Sequence, residues 1–97
     1  MPTYISLCRW TQQGAQKIKE SPSRLDSAKR MCESFGVRVR DFYMTTGQYD
    51  IVIITEAPDE AAIAKAMLTI ASMGSVKTET MRAFNEDEYG KVMAGLN

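Results

Sequence analysis

The side chains in this chain best suited to chemistry are Asp50, Arg82, Cys8 and the aromatic group Tyr4, Trp10 and Tyr43. Asp50 offers a carboxylate that binds an amine, or acts as a base if burial raises its pKa. The alternative is structural: Asp50 pairs with Arg82 or with backbone N–H groups of a turn. Arg82 suits a bidentate clamp on a carboxylate or phosphate, but the favoured reading is structural, an ion pair closed across an interface. Tyr4, Trp10 and Tyr43, with Thr78 and Thr80 as polar neighbours, would line a pocket for a planar ligand or fill the core of a dimer. Cys8 becomes a nucleophile only if a neighbour stabilises its thiolate, and Arg9 and Arg82 are its plausible cationic neighbours. Arg24, Lys29 and Arg30 suit either an anion near a helix start or a solvated helix face. The chain has no histidine, which removes the commonest general base, a histidine-ligated haem and most zinc sites. No metal site and no cofactor are expected.

Strands and turns must position these groups. Thr3 to Trp10 reads as a strand, with Ile5 and Leu7 on one side and Tyr4, Ser6, Cys8 and Trp10 on the other. Thr11 to Glu20 is polar, contains Gly14 and suits a loop with a short helical turn. Ser21-Pro22 opens a helix, serine as cap and proline in the first helical position. Leu25, Ala28, Met31, Cys32 and Phe35 follow at helical spacing, and Gly36 ends it. Val37 to Thr46 and Tyr49 to Glu56 form a hairpin around Gly47-Gln48. Gly47 fits the first central position of a II′ turn, which demands a positive φ, so a side chain there should be costly. Gly47 and Tyr49 are the structural residues of that turn. In this register Met44 faces Ile51 and Tyr43 faces Val52. One hairpin face then carries Phe42, Met44, Tyr49, Ile51 and Ile53; the other carries Asp41, Tyr43, Thr45, Asp50, Val52, Ile54 and Glu56.

Pro58 opens a second helix with Asp59 and Glu60 in its first turn. Its apolar stripe is Ile63, Ala66, Met67, Ile70 and Ala71, and Gly74 closes it. Val76 to Phe84 is a fourth strand, with Thr78, Thr80 and Arg82 on one face and Lys77, Glu79, Met81 and Ala83 on the other. Asn85 and Glu88 make a capping-box pattern before a short helix with Tyr89, Val92, Met93 and Leu96.

The element order is βαββαβ plus a C-terminal helix, an α+β ferredoxin-like arrangement: an antiparallel four-stranded sheet in the order 4-1-3-2, helices on one face. The apolar hairpin face is expected to meet the helices. The mixed face is expected to stay open and to gather Tyr4, Ser6, Cys8 and Trp10 beside Tyr43, Asp50 and Val52, with Thr78, Thr80 and Arg82 at the far edge. Trp10, Val39, Val52 and Ile54 would make that face a large apolar patch on a monomer. A second copy covering it gives the expected homodimer, enclosing a semi-polar cavity. The 97 residues suit one domain spanning 1–97 that gains core by association.

Lys plus Arg and Asp plus Glu number 12 each, so no basic field draws nucleic acid. Asp50-Ile51-Val52-Ile53-Ile54 also stands where an RNA-recognition sheet carries its basic and aromatic residues. No apolar run approaches the ~20 residues of a membrane span, and Met1-Pro2-Thr3-Tyr4 lacks a signal-peptide pattern. Cys8 and Cys32 fit neither a zinc knuckle nor a disulfide framework. A cytoplasmic protein with reduced thiols, engaging neither nucleic acid nor membrane, is expected.

Specific stretches carry a family likeness: Tyr4-Ile5-Ser6-Leu7 with Arg9-Trp10-Thr11, Lys19-Glu20-Ser21-Pro22 with Arg24-Leu25, Asp41 through Val52, and Val76-Lys77-Thr78-Glu79-Thr80 with Arg82-Ala83-Phe84. Together they closely resemble the GYD domain family, small prokaryotic proteins named for a Gly-Tyr-Asp turn, here Gly47-Gln48-Tyr49-Asp50. The resemblance covers essentially the whole chain and implies a dimeric α+β barrel; it brings no biochemical activity with it. A weaker, fold-level similarity is to the effector-binding domain of Lrp/AsnC regulators, which binds amino acids between subunits. The helix-turn-helix of those regulators is missing here, so DNA binding is not implied.

The function expected from all this is that of a small oligomeric domain binding a small molecule between the sheet faces of a dimer. The candidate ligand-binding residues are Tyr4, Cys8, Trp10, Tyr43, Asp50, Thr78, Thr80 and Arg82. Two alternatives stand beside it: a cofactor-free oxygenase or isomerase of the dimeric α+β barrel type, and a purely structural interaction module.

Overall fold

The structure is a computed structural model and describes residues 1–96. Its elements are β1 (Thr3–Trp10), α1 (Gln12–Gln16), a 3-10 turn (Ile18–Glu20), α2 (Ser21–Ser34), β2 (Arg38–Met44), β3 (Ile51–Glu56), α3 (Glu60–Ser72), β4 (Val76–Ala83) and α4 (Glu86–Ala94). The strands form one antiparallel sheet in the order β2-β3-β1-β4, the ferredoxin-like arrangement. No helix among the described residues is long and apolar enough to cross a membrane.

Several boundaries differ from expectation for local reasons. The 3-10 turn runs straight into α2, so Glu20 rather than Ser21 precedes the first helical residue, and Pro22 sits in the first turn. Asp59, not Pro58, starts α3: its carboxylate accepts from the Ala62 N–H at 2.8 Å, satisfying a donor that has no partner within the helix. α4 carries the full capping box, with Glu88 N–H donating to Asn85 and Asn85 N–H donating back to Glu88.

The hairpin keeps its expected register but not its expected turn. Met44 faces Ile51 and Tyr43 faces Val52, with one irregularity between Val39 and Asp41. Positive φ is confined to Gly36 and Gly74 among the described residues, so Gly47 is not at the left-handed position of a II′ turn. The strands end at Met44 and Ile51, and a longer bend joins them. Thr45 holds that bend closed: its N–H donates to the Asp50 carbonyl at 2.9 Å and its hydroxyl donates to the Tyr49 carbonyl. With more residues sharing the reversal, no single one needs a special φ.

The faces of the sheet are joined differently from expectation. Cross-strand pairing sets Cys8 opposite Ile51 and Ser6 opposite Ile53, and directly opposed residues share a face. Tyr4, Ser6 and Cys8 therefore lie with the apolar hairpin face, beneath the helices, where all three are buried. Ser6 donates to the Met67 sulfur of α3 at 3.5 Å. The buried cluster joins Tyr4 to Cys32, Val37, Ile63, Met67 and Ile70, with Val39 packed against it. Ile5 and Leu7 point the other way. Ile5 pairs with Ile54 and Met81, and Leu7 with Val52 and Glu79, so the aliphatic side of β1 is on the uncovered face.

Candidate functional site

The eight candidate residues do not form one site; the sheet divides them. Trp10, Cys8 and Thr78 line a cavity of about 90 Å³ between the sheet and the helices. Tyr4, Thr80 and Arg82 line a second, shallower groove of about 280 Å³ beside Glu60 and Ile63 at the β4 edge. Tyr43 stands alone on the uncovered face, 56% exposed. Asp50 sits at the end of β3, where its Oδ2 accepts from the Trp10 backbone N–H at 2.9 Å. The expected grouping of Tyr4, Cys8, Trp10, Thr78, Thr80 and Arg82 with Tyr43 and Val52 on an open face is therefore corrected. Cys8 pairs with both Ile51 and Thr78, which puts that row under the helices.

Each group's surroundings say what it can do. Cys8 is 1% exposed, and burial pushes its thiol pKa up to about 11. A thiol so placed stays protonated and is a poor nucleophile at neutral pH. Cys32 is likewise raised, first by burial and then by the nearby Glu33. Arg82 is engaged within the chain: it donates to the Thr3 carbonyl at 3.3 Å, to the Ala83 carbonyl, and to Glu88 at 2.9 Å. Its guanidinium also lies 4.4 Å from the Phe84 ring centroid. That pairing with Glu88, followed by the Asn85 N–H bond, holds the Glu88 carboxyl below the usual glutamate range. Arg82 so anchors the base of α4 to β4.

The turn residues are similarly engaged. The Gln48 carbonyl accepts from Arg9 Nε at 3.0 Å. The Arg9 guanidinium covers the Tyr49 ring at 4.7 Å, and the Tyr49 hydroxyl donates to Glu79 at 3.0 Å. That hydrogen bond is the main reason the phenol pKa is raised. Tyr49 thus lies beside Arg9 and Glu79, on the uncovered side, and not on the dry face expected for it. Strict alternation lapses because residues 45–50 belong to a bend and not to a ladder. The Asp50 N–H donates to the Cys8 carbonyl at 2.9 Å. Gln48, Tyr49 and Asp50 together fasten the hairpin tip to the end of β1 and to the middle of β4.

That turn is where the family is written. Residues 4–93 match the GYD domain. The chain belongs to the GYD domain family. A curated relative, the glutamine synthetase and cystathionine beta-lyase binding protein of Thermus thermophilus, is 45% identical over 84 residues, covering 86% of this chain and 88% of that one. Among solved structures, a Thermus thermophilus protein superposes with a TM-score of 0.57 at 24% identity, over 88% of this GYD domain and 95% of that chain. FFRP-DM1, a protein of the Lrp/AsnC kind, superposes with a TM-score of 0.62 at 20% identity, over 87% of this chain and 100% of that one. At such identities the two structures speak for the fold alone. In this GYD domain the signature residues act as a clasp between strands.

Two groups of residues escaped the reading from sequence. One is the aliphatic block Ile5, Leu7, Val52 and Ile54 on the uncovered face, of which only Val52 and Ile54 were placed there. The other is a role rather than a set of names: Leu25, Ala28, Met67 and Ile70, legible as apolar helix stripes, also wall a cavity that helical spacing does not disclose. The signal for the first was present: Ile5 and Leu7 are the more apolar side of β1, and the hairpin's own alternation fixes only its two strands. Deciding how β1 joins them needs the β1–β3 register, which no turn specifies.

Proposed function

We propose that this GYD domain is a homodimeric protein-binding module, pairing through its uncovered sheet face and engaging an enzyme of the kind its Thermus relative is named for. The observation that carries the pairing is the direction of β1. Ser6 and Cys8 lie beneath the helices, while Ile5 and Leu7 lie on the side that no element among the described residues covers. Ile5, Leu7, Val52 and Ile54 are half-buried by their neighbours in the sheet, so a second copy would remove the remaining part of their surface, a fraction of the about 1.5–3 kcal/mol that full burial of each is worth. Met81 and Tyr43 extend the patch, at 45% and 56% exposure. Charged Asp41, Glu56, Lys77 and Glu79 rim it, the anatomy of an apolar interface core with a polar border. α4 adds a second apolar surface: it buries none of its residues, and Tyr89, Val92 and Met93 are exposed, as is Leu96 just beyond its end.

Pairing these faces makes a packed aliphatic interface, which favours an interaction module over a semi-polar ligand cavity between sheets. An oxygenase or isomerase reading has less support, since Asp50 is bonded to the Trp10 N–H, Arg82 to Glu88, and the Cys8 thiol is held protonated. The partner class rests on the 45% identity to a protein named for binding glutamine synthetase and cystathionine beta-lyase.

Sedimentation equilibrium tests the pairing: the expected mass is twice the 10.9 kDa of the chain. Val52→Lys should give a folded monomer. Purified glutamine synthetase or cystathionine beta-lyase from the same organism, added to the wild-type dimer, should co-sediment with it. A stable monomer at micromolar concentration overturns the pairing; a dimer that sediments apart from both enzymes overturns the partner assignment.

A further inference from the structure

The cavity beneath α2 and α3 lies on the opposite side of the sheet from the proposed interface and takes no part in the pairing. Its existence follows from the sequence of the layers around it. The cross-strand row Thr78, Cys8 and Ile51 places two small side chains side by side in the sheet. Ala28 of α2 lies above, another small residue, where two packed layers would ordinarily interdigitate large ones. Small residues on both sides leave a hollow of about 90 Å³. Its deep end is dry: Cys8, Ile51, Met67 and Ile70 are all buried. Its outer end is formed by half-buried Trp10, Ser21, Arg24 and Ser75 and by exposed Met73.

Arg24 is the single charged residue in the lining, and it is already engaged. Its Nη1 donates to the Lys17 carbonyl at 2.9 Å and its Nη2 to the Gly14 carbonyl at 3.3 Å, with the Glu20 carboxylate 3.6 Å away. Its guanidinium also lies 6.0 Å from the Trp10 ring centroid. The arginine therefore latches the segment from α1 to α2 over the outer end of the cavity, and its charge is already paired with Glu20. A carboxylate carried inside would meet no unpaired cation and would lose its hydration. An uncharged apolar group meets aliphatic walls and the flexible thioethers of Met67 and Met73, which adjust to irregular shapes.

We infer that this cavity is a binding site for one small uncharged apolar molecule, a single aromatic ring or a short branched aliphatic chain, admitted past Trp10 and Arg24. Dry hollows of about 150 Å³ with Leu, Ile and Phe walls take up benzene; this cavity, at about 90 Å³, is smaller and would admit one ring as the Met67 and Met73 side chains adjust. The site belongs to each subunit on its own and is independent of pairing through the other face.

Methyl-detected NMR titration of the full chain tests this, using benzene, toluene and benzoate as probes. Benzene and toluene should give saturable shifts at the methyls of Leu25, Ile51 and Ile53, and leave Ile5, Leu7 and Val52 unmoved. Benzoate should bind at least about tenfold more weakly than benzene, because its charge has no partner inside. Ala28→Met should fill the hollow, weakening benzene by about tenfold or more while keeping or raising Tm. Should that variant fail to fold, Leu25→Phe fills the same wall and carries the same expectation. Shifts that do not saturate before the solubility limit of benzene overturn the inference. So does binding unaffected by a folded filling variant, or benzoate binding as well as benzene.

Discussion

The two faces of the sheet present opposite contents to opposite surroundings. Beneath the helices, β1 contributes Ser6 and Cys8, and Ser6 shares a 2.8 Å hydrogen bond with the Thr80 hydroxyl. On the uncovered face, the same strand contributes Ile5 and Leu7, flanked by Val52, Ile54 and Met81. An isolated subunit optimised on its own would carry the larger aliphatic residues under its helices, since area removed from water is the main favourable term in folding. The reversal says that the two faces meet different demands. On the covered face the row of Ser6, Cys8 and Thr78 gives up bulk beside Tyr4, Ile51 and Ile53 and leaves a hollow; the uncovered face keeps the aliphatic bulk on which the proposed pairing rests.

Adjacent positions in β1 break this contrast most sharply. Lysine at Cys8 buries an ammonium at a site 1% exposed, with no acid to pair it, at a cost of several kcal/mol. Lysine at Leu7, one residue away, points to the uncovered face and should cost a monomer no more than about 1 kcal/mol. Cys8→Lys should therefore fail to fold at room temperature by circular dichroism. Leu7→Lys should fold with a Tm that no longer rises with protein concentration, as the wild-type Tm should if folding is coupled to pairing. Equal losses from the two substitutions would dissolve the distinction between the faces.

Truncation on β3 gives a smaller effect of the same sign. Ile51 is 5% exposed and touches the cavity, so Ile51→Ala should destabilise by about 2–5 kcal/mol in urea melts. Ile54→Ala, on the other side, should cost about 1 kcal/mol at submicromolar concentration and more where the dimer is populated. If the Ile54 cost does not change with concentration, that side chain lies outside any interface between copies.

Helix and strand placement was legible wherever periodicity and a stop coincided, as with Gly36 after α2 and the Asn85–Glu88 capping box. The hairpin register was legible because Tyr43, Met44, Ile51 and Val52 alternate cleanly across it. The joining of β1 to β3 was not. Both sides of β1 contain apolar groups, and the choice between Ile5/Leu7 and Tyr4/Cys8 for the covered face is made by long-range pairing, not by local propensity. Site residues followed that choice, so one inverted strand scattered eight candidates over two cavities, a strand end and an open surface. Asp50 shows the same limit differently: its partner is the Trp10 backbone N–H, and no sequence pattern signals a bond to the main chain of a strand distant in sequence.

α4 hangs from the covered side through Arg82, and acid should loosen it. The Glu88 carboxyl is held below its usual range chiefly by the hydrogen bond from Arg82 and next by that from Asn85. A group with a lowered folded-state pKa contributes stability that is present above its unfolded pKa and is lost as pH falls through the folded one. Wild type should exceed Glu88→Gln in Tm at neutral pH by a small margin that vanishes in acid below the ordinary glutamate range. Amide exchange in α4 should quicken over the same interval. A margin independent of pH would mean that the charge of Glu88 contributes nothing to holding the helix.

The smallest effect is expected at Gly47, the residue that the family's turn would single out. A glycine is required where φ is positive or where a Cβ would strike a neighbour. Gly36 meets the first condition, with φ at 76°. Gly47 meets neither: its φ is not positive, and a Cβ built there meets nothing within 4 Å. The bend is instead held by Thr45 and Asp50, whose bonds do not involve position 47. Gly47→Ala should therefore change stability by no more than about 0.5 kcal/mol, and it gains if the alanine narrows the unfolded ensemble. Asp50→Asn keeps the shape but weakens the acceptor for the Trp10 N–H, and should cost more than Gly47→Ala, about 1 kcal/mol. Paired urea melts decide between the two. A loss at Gly47 larger than that at Asp50 would restore the tight turn with positive φ. It would then be the glycine, and not the clasp of Tyr49 and Asp50 onto β1 and β4, that holds the two faces in register.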